Sequence, residues 1–164
     1  MLHRSVQRLL LVCLLATPLG ACMFGRGEPK PSWRTTEVTA VTEHVLWLFA
    51  TDVLKRQGFP VGTGANPVDL TVRTGWRSDL AAFSGDGRRR FAELKLVPLG
   101  DKRWELSVRV ATQANMALAN PLNPRYAEWE WREDDETRAD VLLQAIRSSI
   151  QTPLELNSEE GELP

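Results

Sequence analysis

Side chains suited to nucleophilic or acid–base chemistry are sparse in this sequence. After residue 22 there is one histidine, His44, and no cysteine. His44 stands between Val41 and Leu48 at helical spacing, on the border of an apolar stripe, and no nucleophile accompanies it. A catalytic base needs a nucleophile or a substrate within hydrogen-bonding reach. We therefore expect a structural or surface role for His44, no catalytic residue and no enzyme activity.

Carboxylates are densest at Glu133–Glu136, where four acids follow one another. Their oxygens could hold Ca²⁺ or Mg²⁺, but the run lacks the alternating spacing and the glycine of an EF-hand loop. It stands where a helix is expected to start, and acids are favoured there by capping and by the helix dipole. We interpret the run as a helix start and predict no metal site. The glycines at 62 and 64 follow a helix and lead into a strand, which is the reverse of a phosphate-binding loop, so no cofactor is predicted.

The strongest basic spot consists of three consecutive arginines, Arg88, Arg89 and Arg90. They could contact acidic lipid headgroups or an acidic partner. They could also be a charged strand edge that discourages pairing with another chain, which is the interpretation we favour.

The six tryptophans are a second set of side chains suited to binding. Trp76, Trp104 and one of the pair Trp129 and Trp131 fit the covered face of a sheet and are expected in the core. Trp33 and the pair Trp129 and Trp131 could instead line a partner or ligand surface, because tryptophan is enriched at interfaces.

The first 21 residues have the layout of an export signal. A start that holds Arg4 and Arg8 precedes the apolar run at 9–16, and small residues lead to Cys22. The run is far shorter than the ~20 apolar residues of a membrane-spanning helix. Once the signal is removed, Cys22 is the only cysteine, so an intramolecular disulfide cannot form.

The segment Leu19-Gly20-Ala21-Cys22 resembles the lipobox of bacterial lipoproteins. The resemblance implies cleavage between Ala21 and Cys22 and attachment of lipid to the Cys22 sulfur. Met23, rather than aspartate, follows the cysteine, which under the common sorting rule of that family implies the outer membrane. The protein is then expected in the cell envelope, held to a membrane through Cys22 and facing the periplasm.

Four segments are predicted along the chain: the signal at 1–21, the lipidated cysteine with a flexible tether at 22–34, one domain at 35–152 and a disordered acidic tail at 153–164. Lys and Arg number 20 against 21 Asp and Glu, and the signal removes two of the bases. A mildly acidic domain lacks the basic face that nucleic acid needs, so no nucleic-acid partner is predicted.

Hydrophobic periodicity predicts helices at both ends of the domain and strands between them. The first helix is expected at Thr36–Gln57, capped by Thr35 or Thr36, and the second from Asp134 or Asp135 to about Ile150, stopped by Pro153. Strands are expected at Val68–Trp76, Arg89–Val97 and Arg103–Ala111, with turns at Ser84–Gly87 and Pro98–Lys102. The segment Asn115–Pro124 is expected as a loop, and Tyr126–Arg132 could add a fourth strand.

The predicted fold is an α+β two-layer sandwich, with a three- to four-stranded, mainly antiparallel sheet and both helices on one face. This layout resembles several small α+β envelope-assembly lipoproteins, such as the lipopolysaccharide-assembly lipoprotein, in architecture only. We expect a lipid-anchored, non-catalytic domain that binds or scaffolds an unknown envelope partner. An amphiphile-binding module with a pocket between helices and sheet is the alternative, followed by a hydrolase with a carboxylate-based site.

Overall fold

The computed structural model describes residues 27–40, 42–80, 87–117 and 122–159, the stretch 151–159 by its backbone alone. The predicted export signal with Cys22, most of the predicted turn at 84–87, part of the predicted loop at 115–124 and the last five residues lie outside this description. No helix in the described ranges has the length and apolarity that are needed to cross a bilayer.

The described chain forms a mixed α+β fold. Helices α1 and α2 span Glu43–Arg56 and Glu136–Glu159, and a 3₁₀ turn spans Pro124–Tyr126. The strands are β1 Arg34–Thr39, β2 Ala65–Asn66, β3 Thr71–Arg73, β4 Arg77–Asp79, β5 Arg88–Gly100, β6 Arg103–Asn115 and β7 Trp129–Arg132.

A long hairpin of β5 and β6 is the centre of the sheet. The two strands pair antiparallel from Arg88↔Ala114 to Gly100↔Arg103. Asp101 and Lys102 form the turn with φ of 52° and 61°, the left-handed conformation that two-residue hairpin loops favour. This confirms the turn expected at Pro98–Lys102.

The other strands all join this hairpin in antiparallel pairs. The strand order is β1-β6-β5-β3-β2, with β4 also paired to β5 and β7 to β6. The predicted sheet of three or four strands was therefore too small, since seven strands lie in the described residues. The strand expected near Tyr126–Arg132 is confirmed as β7.

The start of the first helix was predicted wrongly. Residues 34–39 form β1, which pairs with β6 from Arg34↔Val108 to Thr39↔Arg103. The helix begins after Thr42, whose Oγ1 accepts from the N–H of Val45 at 3.2 Å. Four of the five residues at 35–39 are β-branched, which fits an edge strand, and the free edge of β6 supplies its hydrogen-bond partners.

The strand predicted at Val68–Trp76 is broken into shorter pieces. Asn66 Oδ1 accepts from the N–H groups of Val68 and Asp69, at 3.0 and 3.2 Å, and so forms a turn inside the predicted strand. Leu70 follows with φ of 52°, which also departs from strand geometry. Only Thr71–Arg73 remains paired to β5 in this stretch.

Helix α2 begins as predicted and ends later. Asp135 Oδ1 accepts from the N–H of Arg138 at 3.0 Å, which confirms capping at Asp135. The helix continues through Pro153 to Glu159 instead of stopping near Ile150, so the first part of the expected tail is helical. Proline removes one N–H donor and bends a helix, and this does not always end it.

The core lies between the helices and the even-numbered residues of β5 and β6. Leu94 and Leu106 pack in one buried cluster with Leu54 of α1 and with Leu142 and Ile146 of α2. Since side chains of a strand alternate between the two faces, the odd-numbered residues point the other way. We call that second side, made of the odd-numbered residues of β5 and β6, the outer face.

Neighbouring residues of α2 test this assignment of the core. Leu142 is 0% exposed and Val141 is 45% exposed. Leu142→Ala leaves a cavity between helix and sheet and is expected to lower the free energy of unfolding by about 2–5 kcal/mol. Val141→Ala is expected to change it by less than about 0.5 kcal/mol. Urea denaturation measures the free energy of unfolding of both variants. Similar decreases for the two would contradict the packing described.

Candidate functional site: the outer face of the sheet

An aromatic cluster lies at one end of the outer face. Phe91 of β5 is almost fully buried, and its ring meets that of Trp76 edge to face at a centroid distance of 4.8 Å. Trp131 of β7 lies 5.8 Å from Trp76 and 6.3 Å from Phe91. Such edge-to-face and tilted contacts stabilise aromatic groups beyond the burial of their area. Trp76 was expected in the core beside Trp104, but it belongs to this cluster because the chain leaves strand geometry before it.

Arg89 lies against this cluster in a fixed position. Its Cζ is 4.3 Å from the ring centroid of Trp76 and 4.6 Å from that of Trp129. Its Nε donates to Oε1 of Gln113, the cross-strand neighbour, at 2.7 Å. Burial lowers the pKa of Arg89 from its ordinary value, since a charged group loses water there.

The charge of Arg89 has no acidic counterpart in the described structure. No carboxylate of the described residues lies within the 4.0 Å salt-bridge distance of its guanidinium nitrogens. Arginine over an indole ring gains cation–π energy, but the ring does not neutralise the charge. The arrangement therefore presents a positioned cation whose terminal nitrogens can take an anion.

The residues predicted for a binding surface are brought together only in part. Arg89 and Trp129 are in direct contact, and Trp131 joins them through Trp76. Arg90 points to the opposite side and pairs with Asp135 at 3.0 Å, since neighbouring strand residues face opposite ways.

Trp33 lies elsewhere on the outer face. The Nζ of Lys95 is 4.3 Å from the centroid of its ring. Lys95 follows Arg89 by six residues on β5, or about 20 Å along the strand, so Trp33 is not part of the Arg89 site.

A buried charge cluster occupies the middle of the outer face. Arg109 of β6 is 3% exposed and pairs with Glu28, with Glu93 at 3.4 Å and with Asp134 at 3.3 Å. The Asp134 side chain is 1% exposed, and its Oδ2 accepts from the N–H of Ser32 at 2.8 Å. Burial raises the pKa of Asp134, and the Ser32 hydrogen bond and Arg109 oppose this effect without cancelling it.

This cluster holds the N-terminal segment on the domain. Glu28 pairs with Arg109 and Ser32 donates to Asp134 and Glu136, so residues 28–32 run along the domain before β1 begins. The described part of the segment that was expected to be a tether therefore contacts the folded chain.

A groove of about 1090 Å³ opens beside the charge cluster, at the start of α2. Its lining includes Arg88, Thr112, Trp131 and Asp134. Asp134 Oδ1 and Thr112 Oγ1 are buried without a hydrogen-bond partner in the described structure. No set of three or more His, Cys, Asp or Glu in the described ranges is arranged to hold a metal ion.

The sequence singled out Arg89, Trp129 and Trp131 but missed Arg109, Glu28 and Glu93. Nothing local marked Arg109, since it occupies one of the regular polar positions of a strand that alternates cleanly. Its three acidic partners lie in segments far apart in the sequence, and no local pattern could have joined them.

No protein-family model matches the chain, and no curated protein matches it in sequence.

Removal of Arg109 tests the importance of the charge cluster. Arg109→Met leaves three carboxylates together without their cation, and the free energy of unfolding is expected to fall by about 3–5 kcal/mol. Arg103→Met is the matched control, because Arg103 lies on the same strand and face but forms an exposed pair with Glu37. Its expected cost is below about 1 kcal/mol. Equal decreases in the free energy of unfolding of the two variants, measured by urea denaturation, would show that the buried charge cluster stabilises the fold no more than an exposed ion pair.

The raised pKa of Asp134 predicts a pH dependence. The folded protein keeps the proton of Asp134 at pH values where the unfolded chain has lost it. The contribution of Asp134 to stability is therefore fully present below about pH 4, the ordinary aspartate value, and is lost as the pH rises through the raised pKa of the folded state. Asp134→Asn keeps the shape and the oxygen that accepts from Ser32, and we expect this part of the pH dependence to vanish.

The free energy of unfolding of the natural chain and of Asp134→Asn is measured by urea denaturation between about pH 4 and about pH 8. The value for the natural chain minus the value for Asp134→Asn gives the contribution of the Asp134 carboxyl group at each pH. This difference should decrease with rising pH. A difference that increases with pH would mean that the Asp134 pKa is lowered, and that the pair with Arg109 outweighs burial.

Proposed function

We propose that this protein is a lipid-anchored cell-envelope protein whose non-catalytic α+β domain binds or scaffolds an envelope partner through its outer face. The proposal that the domain binds a partner rests on the position of Arg89. Its guanidinium is held by Trp76, Trp129 and Gln113, and it has no carboxylate partner in the described structure. Aromatic and arginine side chains in a fixed setting are the groups that dominate binding at protein surfaces.

The anchor is proposed from Leu19-Gly20-Ala21-Cys22 and the export signal before it. Two or more acyl chains on Cys22 give stable attachment, whereas one chain binds only marginally. Met23 at the next position favours the outer membrane under the common sorting rule.

The contacts of Glu28 support a short distance between anchor and domain. Glu28 follows Cys22 by six positions, which limits the span to about 20 Å when extended. Glu28 is fastened to Arg109 on the outer face. A lipid on Cys22 would therefore keep the outer face, rather than the helix layer, near the bilayer.

A carboxylate-based hydrolase receives less support. Glu28, Glu93 and Asp134 do converge, which is the kind of cluster such an enzyme needs. They converge on the buried guanidinium of Arg109, and the Asp134 side chain is 1% exposed. Both features favour a structural role, in which Arg109 holds the three carboxylates together.

An amphiphile between the helices and the sheet also receives less support. The space that it would need is occupied by the buried Leu94, Leu106, Leu142 and Ile146. Binding at the surface is therefore the better proposal.

The anchor is tested by the intact mass of the protein from the membrane fraction. The natural chain should begin at Cys22 and carry added acyl mass, and Cys22→Ser should lose the acyl mass. A mass that fits an unmodified chain in the natural protein would remove the anchor from the proposal. Ser84→Ala, remote from the lipobox, is the control for expression and export.

A further inference from the structure

We propose that Arg89, together with Trp76 and Trp129, is a binding site for the phosphate group of an anionic lipid in the membrane that carries the anchor. This inference rests on the proposed function for the identity of the membrane. The site itself is argued from the contacts of Arg89.

Arg89 offers one free edge for an anion. A guanidinium binds an oxyanion through two adjacent N–H groups, either along its Nε side or across its two terminal nitrogens. Gln113 takes the Nε hydrogen at 2.7 Å, and Gln113 is itself buried. The terminal nitrogens remain, and the described residues place no carboxylate within 4.0 Å of them.

The position of this edge is held before any ligand arrives. The guanidinium contacts two indole rings, at 4.3 and 4.6 Å, and the Trp76 ring is in turn packed on Phe91. A side chain already held in its binding geometry loses little entropy on binding. Because burial has already removed part of the water around the charge, attraction to an anion is stronger than at a fully solvated arginine.

The aromatic neighbours favour a lipid phosphate over an acidic protein surface. Trp76, Trp129 and Trp131 are all partly exposed. Tryptophan is enriched at the level of lipid headgroups, where its apolar ring and its N–H donor are both accommodated.

The anchor would bring this site to the bilayer. Glu28 reaches Arg109, whose cross-strand neighbour Glu93 lies four residues from Arg89 on the same face, about 13 Å along β5. With the span of about 20 Å from Cys22 to Glu28, the lipid anchor and the Arg89 site can be at the surface of one membrane. Attachment raises the local concentration of headgroups, so even a weak site would be occupied.

The test uses the chain from residue 22 onwards with Cys22→Ser, so that neither residues 1–21 nor an acyl chain contributes to binding. Vesicles of phosphatidylcholine, with and without phosphatidylglycerol, are sedimented with the protein, and tryptophan emission is recorded during the same titrations. We expect binding to the vesicles with phosphatidylglycerol and a shift of the emission to shorter wavelength. Arg89→Gln should weaken this binding at least fivefold, about the contribution of one basic residue at an anionic surface.

Two further variants make the result specific. Arg56→Gln removes the same charge from α1, where Arg56 forms an exposed pair with Asp52, and should leave binding within about twofold. Arg89→Lys keeps the charge without the planar fork, and its binding should fall between those of Arg89→Gln and the natural residue. The unfolding midpoints of all variants show whether a variant binds less because it is less folded. If Arg89→Gln does not fold, the comparison of Arg89→Lys with the natural chain serves as the test.

Inorganic phosphate at constant ionic strength separates the two sources of the anion. Saturable quenching of tryptophan emission by phosphate, without binding to vesicles, would mean a soluble phosphorylated ligand and would overturn the lipid assignment. Equal losses in Arg89→Gln and Arg56→Gln would show general electrostatic attraction and would overturn the site. Because the chain in this test carries no acyl group, binding through Arg89 can succeed even if the mass of the natural protein refutes the anchor.

Discussion

The pairing of β5 with β6 is the constraint on which the rest of the fold depends. Both strands are long, and each other strand except β2 pairs directly with one of them. Their even-numbered side chains form the floor of the core on which α1 and α2 pack, and their odd-numbered side chains form the outer face. A change of register by one residue would exchange these two sets, so the hairpin determines the core and the candidate site together.

The outer face departs from the usual polar side of an antiparallel sheet. Such a face is commonly solvated, but here Phe91 and Arg109 are buried on it. The aromatic cluster covers the first, and the carboxylates of three distant segments compensate the second. Burying a guanidinium with several acids costs desolvation free energy. In return, the cluster joins the N-terminal segment, β5 and the start of α2 at one point.

The same strand geometry explains which of the residues predicted for a binding surface lie together in the described structure. The three consecutive arginines were treated as one basic spot, but alternation sends Arg89 to the tryptophans and Arg90 to Asp135. Trp129 joins Arg89 because β7 pairs with the end of β6 that lies opposite the start of β5. Trp33 stands near Lys95, at a different place on the outer face.

Local pattern in the sequence was enough to predict the hairpin, both helices in outline, a cap at Asp134 or Asp135 and an α+β fold, since each depends on neighbours in the chain. It also includes the segment Leu19-Gly20-Ala21-Cys22, whose resemblance to a lipobox is visible in sequence because such a motif is linear. Only the tertiary structure decided that residues 34–39 form a strand, because their hydrogen-bond partners belong to β6. It alone placed Trp76 beside Phe91 and gathered Glu28, Glu93 and Asp134 around Arg109, because contacts between distant segments depend on how the whole sheet is assembled.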